Sequence, residues 1–169
     1  NGANNSIDHN NIYENNYGIK LFTSALSNNL IGNYLINNTY GVYPYGWIGC
    51  DDGGAVQESN NHHLINQNYF ETNDYAIYLY NPPSRSCGSM RTIGSKTGNN
   101  SIYDNAFKNN SISVYFNNSN YNTVLGNILY PIDNYILFDG TSANNYITNT
   151  TLGSSNNFDI ISLSSGINN

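Results

Sequence analysis

The sequence predicts an all-β chain folded as a parallel β-helix, a solenoid of about six coils of ~22–23 residues each. Three observations predict it. The same residue types recur at the same offsets along almost the whole chain. The apolar residues fall in short alternating runs, the period that buries every second side chain of a strand. Asparagine recurs at fixed places between those runs.

The register is clearest from Ile7. With Ile7 as position zero, Asn10 and Asn15 stand at plus 3 and plus 8, and Ile12, Ile19 and Leu21 at plus 5, 12 and 14. The grid repeats from Leu30 (Asn33, Leu35, Asn38, Val42), from Ile65 (Asn68, Phe70, Asn73, Ile77, Leu79) and from Ile102 (Asn105, Phe107, Asn110, Val114, Phe116). It repeats again from Val124 (Asn127, Leu129, Ile136, Phe138), where Ile132 replaces the second Asn. A looser copy starts at Ile147, with Leu152 and Ile160. The starts are 23, 35, 37, 22 and 23 residues apart. The chain is thus one domain, 1–169, with loop insertions at 44–59 and 81–98 that both follow plus 14.

Stacking explains the grid. Each residue should lie ~4.8 Å above its counterpart in the next coil. The columns at 0, 5, 12 and 14 then fill the interior. Corner asparagines are expected to adopt the left-handed backbone and to bond their amides along the column. Gly18, Gly41 and Ala76 share one position, where close approach or an unusual φ is required. A helical reading fails on spacing and on the abundance of Asn, Gly and Tyr. An antiparallel sandwich has many short strands too, but does not require one residue type at one offset in five copies.

Composition narrows the function. The chain has 36 Asn and 16 Tyr, 9% charged residues and a net charge of −6 with five Lys and Arg. No basic stripe exists to replace phosphate counterions, so nucleic acid is excluded as a partner. No apolar run approaches the ~18–20 residues of a membrane span. Two cysteines, abundant Asn and Tyr and little charge read as extracellular or cell-surface. The sequence opens on Asn1 with no signal peptide, as a processed chain or a fragment does.

The pattern Asn-x-Ile-x-x-Asn-x-Ile/Phe-x-x-Asn-x-x-Gly-Ile-x-Leu, clearest over residues 5–21, resembles the right-handed parallel β-helix repeat. That repeat occurs in pectin-lyase-like proteins and in the NosD-type carbohydrate-binding and sugar-hydrolase group. The resemblance implies right-handed coils of three short strands and a fold that often hosts sugar enzymes. Polygalacturonases of this fold carry a double Asp, and Asp51-Asp52 is the runner-up catalytic pair. They also carry Gly-His-Gly and Arg-x-Lys segments, which are missing here. The acids are too scattered for the Ca²⁺ cage of a pectate lyase. The expectation is therefore no catalytic residues, no cofactor and no metal. His9, His62 and His63 lack ligand spacing and read as surface histidines.

Cys50 lies 20 residues after Leu30 and Cys87 lies 22 after Ile65, so their loops should be neighbours and a Cys50–Cys87 disulfide is expected. Asp51, Asp52 and Glu58 on the first loop oppose Arg85, Arg91 and Lys96 on the second, as a docking contact would. Six sequons, at Asn4, Asn37, Asn99, Asn109, Asn117 and Asn149, match the number that chance predicts from the composition.

The outward positions of the third strand carry the most informative surface. Plus 13 gives Lys20, Tyr43, Tyr78, Tyr115 and Leu137, and plus 15 gives Phe22, Tyr45, Tyr80, Asn117 and Asp139. Two tyrosine columns should form a flat exposed strip with Trp47 at its edge. Sugars and protein chains both stack on such strips; the third reading has the insertions fold back over the tyrosines and make them local core. No amphipathic helix is found to cap the solenoid, so both ends are expected to be bare. The partners expected are copies of the chain stacked head-to-tail into a filament, with a polysaccharide or glycan as the alternative.

Overall fold

The computed structural model describes residues 2–22, 25–51, 54–82, 85–86, 92–93, 96–130, 132–153 and 160–162. Side chains are described for these except 47–51, 54–59, 85–86, 92–93, 96, 134 and 160–162. Among the described residues every regular element is a strand. Three six-stranded parallel sheets account for most of them. The first sheet stacks Ser6–Asp8, Asn29–Ile31, Leu64–Asn66, Ser101–Tyr103, Thr123–Leu125 and Tyr146–Thr148. The second stacks Asn11–Tyr13, Tyr34–Ile36, Tyr69–Glu71, Ala106–Lys108, Ile128–Tyr130 and Thr151–Leu152. The third stacks Tyr17–Phe22, Tyr40–Tyr45, Tyr75–Tyr80, Ile112–Asn117, Asn134–Asp139 and Ile160–Ser162.

The pairing follows the sequence grid. Ile7, Leu30, Ile65, Ile102, Val124 and Ile147 are successive partners in the first sheet. Ile12, Leu35, Phe70, Phe107, Leu129 and Leu152 are partners in the second. Ile19, Val42, Ile77, Val114, Ile136 and Ile160 are partners in the third. The parallel pairing excludes the antiparallel sandwich. Apart from Leu152, which is 44% exposed, and Ile160, whose side chain is not described, these columns form one continuous core, with Phe70 stacked on Phe107 at 4.8 Å and, at plus 14, Phe116 on Phe138 at 4.9 Å. Pro44 takes the plus 14 place beside Leu21, where its missing N–H removes one ladder bond.

Both insertions build strands. Trp47–Asp51 pairs antiparallel with Gly54–Asn61, and Lys96–Gly98 pairs parallel with the end of that hairpin, Lys96 facing Ser59. The two insertions are therefore neighbours. Cys87, Asp52 and Arg91 lie outside the described residues, as do the side chains of Cys50, Asp51, Glu58, Arg85 and Lys96. The Cys50–Cys87 disulfide and the charged contact expected between the loops therefore lie outside the described residues.

The corners correct one expectation. The asparagines at plus 3 and plus 8 stack as foreseen, but the left-handed residue is the one before each of them. His9, Glu14, Asn37, Gln67, Thr72, Asp104 and Asn109 all have φ between 53° and 58°. The left-handed residue turns its own N–H onto the next strand's carbonyl, as Glu14 does to Ile36 O at 3.1 Å. The asparagine after it finds no carbonyl in line, and its neighbour's side chain stands in. The N–H and Nδ2 of Asn33 both donate to Asn68 Oδ1, at 2.9 and 3.0 Å. Asn68 does the same to Asn105, and Asn105 to Asn127. The plus 8 column links Asn15, Asn38, Asn73 and Asn110 in the same way. Each amide also donates to a main-chain carbonyl, Asn68 Nδ2 to Leu30 O at 2.8 Å.

A third ladder runs two residues before position zero. It links Asn5 to Asn28, and Asn100 through Asn122 to Asn145, with His63 between Asn28 and Asn100. The motif over residues 5–21 contains its first member, Asn5, but the grid of plus 3 and plus 8 omits the column. Close approach, not φ, explains the small column. A Cβ on Gly41 would stand 2.5 Å from Ala76 O, and one on Gly18 would stand 2.7 Å from Gly41 O.

Asn68→Ala should lower the unfolding free energy by about 3 kcal/mol, because it orphans the buried N–H of Asn33 and the carbonyl of Leu30. Gln67→Gly, one residue away at the left-handed corner, should leave it unchanged or raise it by up to about 1 kcal/mol. Urea unfolding of both variants against the parent checks the contrast.

Candidate functional site

The third sheet supplies the aromatic surface. From plus 12 its strands alternate, so plus 12 and 14 enter the core while plus 13 and 15 face outward; plus 11 is buried as well, and this break in the alternation leaves plus 10 on the outer side too. Three columns of rings result. Tyr17, Tyr40 and Tyr75 stack at 5.2 Å per step. Tyr43, Tyr78 and Tyr115 stack at 5.3 and 4.7 Å. Phe22, Tyr45 and Tyr80 stack at 5.5 and 5.4 Å. The first two columns interlock, Tyr40 lying 5.0 Å from Tyr43 and Tyr75 lying 5.2 Å from Tyr78.

The array corrects the expected flat strip. The rings stand on edge and cover one another's faces, with interplanar angles of 3° to 29° in these contacts. Every tyrosine in it is half-buried, and only Phe22 is exposed. The plus 10 column escaped the sequence reading, although Tyr17, Tyr40 and Tyr75 recur at the same 23- and 35-residue offsets as the rest of the grid. Leu137, an outward position, is 9% exposed. Trp47 lies on the hairpin strand, and its side chain is outside the described set.

The two ends of the array differ in charge. Lys20 Nζ lies 4.4 Å from the centre of the Tyr17 ring and 5.8 Å from that of Tyr43, a cation on the open face of the first rings. At the other end Tyr115 OH donates to Asp139 Oδ2 at 2.7 Å. Asn117 Nδ2 donates to Tyr78 OH at 3.2 Å. Burial, with the repulsion of neighbouring phenolates, pushes the phenols of Tyr40, Tyr43 and Tyr80 upward, and that of Tyr78 to about 12. Tyr115 is raised by burial and by the proton it shares with Asp139. None of these groups is poised to lose a proton near neutrality.

His63 is the second correction. It is 1% exposed and fills an asparagine's place in the third ladder. Nδ1 accepts the backbone N–H of Asn28 at 3.2 Å, and the Nε2 proton goes to Asn60 Oδ1. Burial, with His62 beside it, pulls its pKa from 6.5 down to about 4. His9 and His62 are exposed, as expected. Five of the sequon asparagines, Asn4, Asn37, Asn99, Asn109 and Asn149, stand on exposed left-handed corners, and Asn117 is partly covered beside Tyr78. In Asn37-Asn38-Thr39 and Asn109-Asn110-Ser111 the middle residue is a ladder asparagine, so the corner itself generates the sequon.

Among the described residues no three His, Cys, Asp or Glu side chains gather to hold a metal ion, and no helix is long and apolar enough to cross a membrane. No family model, curated protein or solved structure matches this chain.

Two measurements check these assignments. Neutral His63 stabilises the fold above pH 6.5, and that stability falls as the pH drops toward about 4, because the unfolded chain then takes up a proton the folded one refuses. The loss amounts to about 3 kcal/mol between pH 7 and pH 4. His63→Asn restores the ladder residue and should flatten this dependence in urea unfolding across that range. Tyr78→Phe should remove from the ultraviolet titration at 295 nm a phenol ionising near pH 12.

Proposed function

We propose that this chain is a non-catalytic structural element of the extracellular space or cell surface, built as a right-handed, three-sided β-helix of six coils that stack end to end. The observation that carries this reading is the polarity of the ladders. In each pair of asparagines the earlier one donates and the later one accepts. Asn5, Asn10 and Asn15 donate onward, and among the described residues nothing donates to their own Oδ1 atoms. The first strands thus present three aligned acceptors beside a parallel edge that no strand among the described residues pairs with.

A coil with donors in the same places completes all three ladders. Such a joint is head-to-tail, heterologous and open, the geometry of a fibre. Asn145 and Thr150 hold the first two column places in the last repeat. Five basic side chains and a net charge of −6 spread over 169 residues leave little repulsion to oppose stacking. The ladder amides are consumed in backbone bonds, which suits a scaffold better than a reaction site.

Glycan binding is the second reading. The ring faces are stacked on one another, so a sugar would meet the fringe of phenol hydroxyls and the insertion loops at 44–59 and 81–98. A glycan array read with Tyr43→Phe and Tyr78→Phe tests that route, and binding that disappears in both supports it.

Negative-stain microscopy of the purified chain should show fibres. Asn5→Lys, Asn10→Lys and Asn15→Lys together should shorten or abolish them. Short isolated rods from the unsubstituted chain at every concentration sink the filament reading.

A further inference from the structure

The outward face of the second sheet is apolar, holds one central ion pair and was not singled out by the sequence. Tyr34 is 51% exposed, Ile128 45% and Tyr130 47%, and Ile36 and Tyr69 are half-exposed beside them. Lys108 Nζ lies 2.9 Å from Glu71 Oε1, and Tyr69 OH donates to Glu71 Oε2 at 3.1 Å. Glu71 sits on the third of six strands and Lys108 on the fourth, so the pair marks the middle of the face.

We propose that this face binds the same face of a second copy of the chain, in an isologous dimer whose two-fold axis runs along the strands between Glu71 and Lys108. That operation sets the third strand against the fourth, the second against the fifth and the first against the sixth. Glu71 of each copy then meets Lys108 of the other, and four alternating charges close around the axis. Sizes match as well as signs. Tyr69 faces Ala106 and Tyr34 faces Ile128. Ile36 faces Tyr130, which leans over Gly153 where a Cβ would stand 1.7 Å from the ring.

The other two sheets do not complement themselves in this way. The same operation on the third sheet sets Tyr78 against Tyr115, bulk on bulk, and on the first it sets Asn66 against Tyr103, with no charge to pair. Six strands at ~4.8 Å give a face about 29 Å long. With side chains at the corners it buries on the order of 1,000 Å² over both copies, the lower limit of a specific interface. A dimer of micromolar affinity is expected. It is lateral, and independent of the end-to-end contact proposed above.

Charge exchange tests it on bacterially expressed chain, which carries no corner glycans. Sedimentation velocity is run on a parent carrying Asn5→Lys, Asn10→Lys and Asn15→Lys, which removes the end contact, and this parent should show a dimer at tens of micromolar. Glu71→Lys alone and Lys108→Glu alone should each weaken it about 100-fold, by setting like charges against each other. Mixing the two variants should restore a dimer, because each supplies the sign the other lacks, and the double exchange within one chain should dimerise like the parent. Restoration on mixing also shows that both variants are folded, which circular dichroism checks separately. Fibres that persist when either single exchange is made in the chain with its end contact intact, but without paired rods, leave the end contact standing and support the lateral assignment. A parent that stays monomeric at 100 µM, single variants that dimerise like the parent, or a mixture that does not recover overturns it.

Discussion

A chain that turns corners while keeping parallel strands in register must find partners for the main-chain groups at each corner. The left-handed residue at a corner solves this for its own N–H, but it rotates the following peptide out of the ladder. Buried without a partner, that N–H would cost about 1–3 kcal/mol at every corner of every repeat. The asparagine side chain answers both needs. It is an amide at the end of one methylene, so its Oδ1 replaces the missing carbonyl and its Nδ2 replaces a missing N–H. The rest of the structure hangs on this substitution, because it holds successive repeats at strand spacing with no slip.

Strict register has a second consequence. Identical offsets become direct neighbours, so any residue type repeated in sequence becomes a column in space. The core exploits this with stacked Phe70 and Phe107, and the surface with nine stacked rings. Packed so closely, the phenols screen one another from water and resist ionisation. A ladder can also absorb an exception. His63 fits among asparagines because a neutral imidazole offers one acceptor and one donor, as an amide does, at the expense of a proton it can no longer accept easily.

Much of this was legible in the sequence. The columns at 0, 5, 12 and 14 depend only on repeat spacing and strand alternation, and both are written in the order of residues. The neighbouring insertions followed from the same count. The corner chemistry was half legible. Asn recurs at the ladder sites because its short amide supplies the acceptor and the donor that the site needs, whereas the left-handed sites vary from His9 to Glu14 to Thr72. What selects those is backbone geometry that many exposed residues tolerate at a modest price, so no single type marks them. His63 was misread for a related reason, since one residue among asparagines looks like noise until its column is known.

By itself, the sequence determined which residues stack on which, and hence the parallel sheets, the core and the identity of the tyrosine columns. Spacing alone sets those contacts. Only the tertiary structure decided how the side chains stand. It turned the tyrosines edge-on, because rings repeated near strand spacing gain more by stacking than by lying flat. It also brought Glu71 and Lys108 together at the centre of a sheet, since the two are 37 residues apart in sequence and adjacent only once the solenoid has closed.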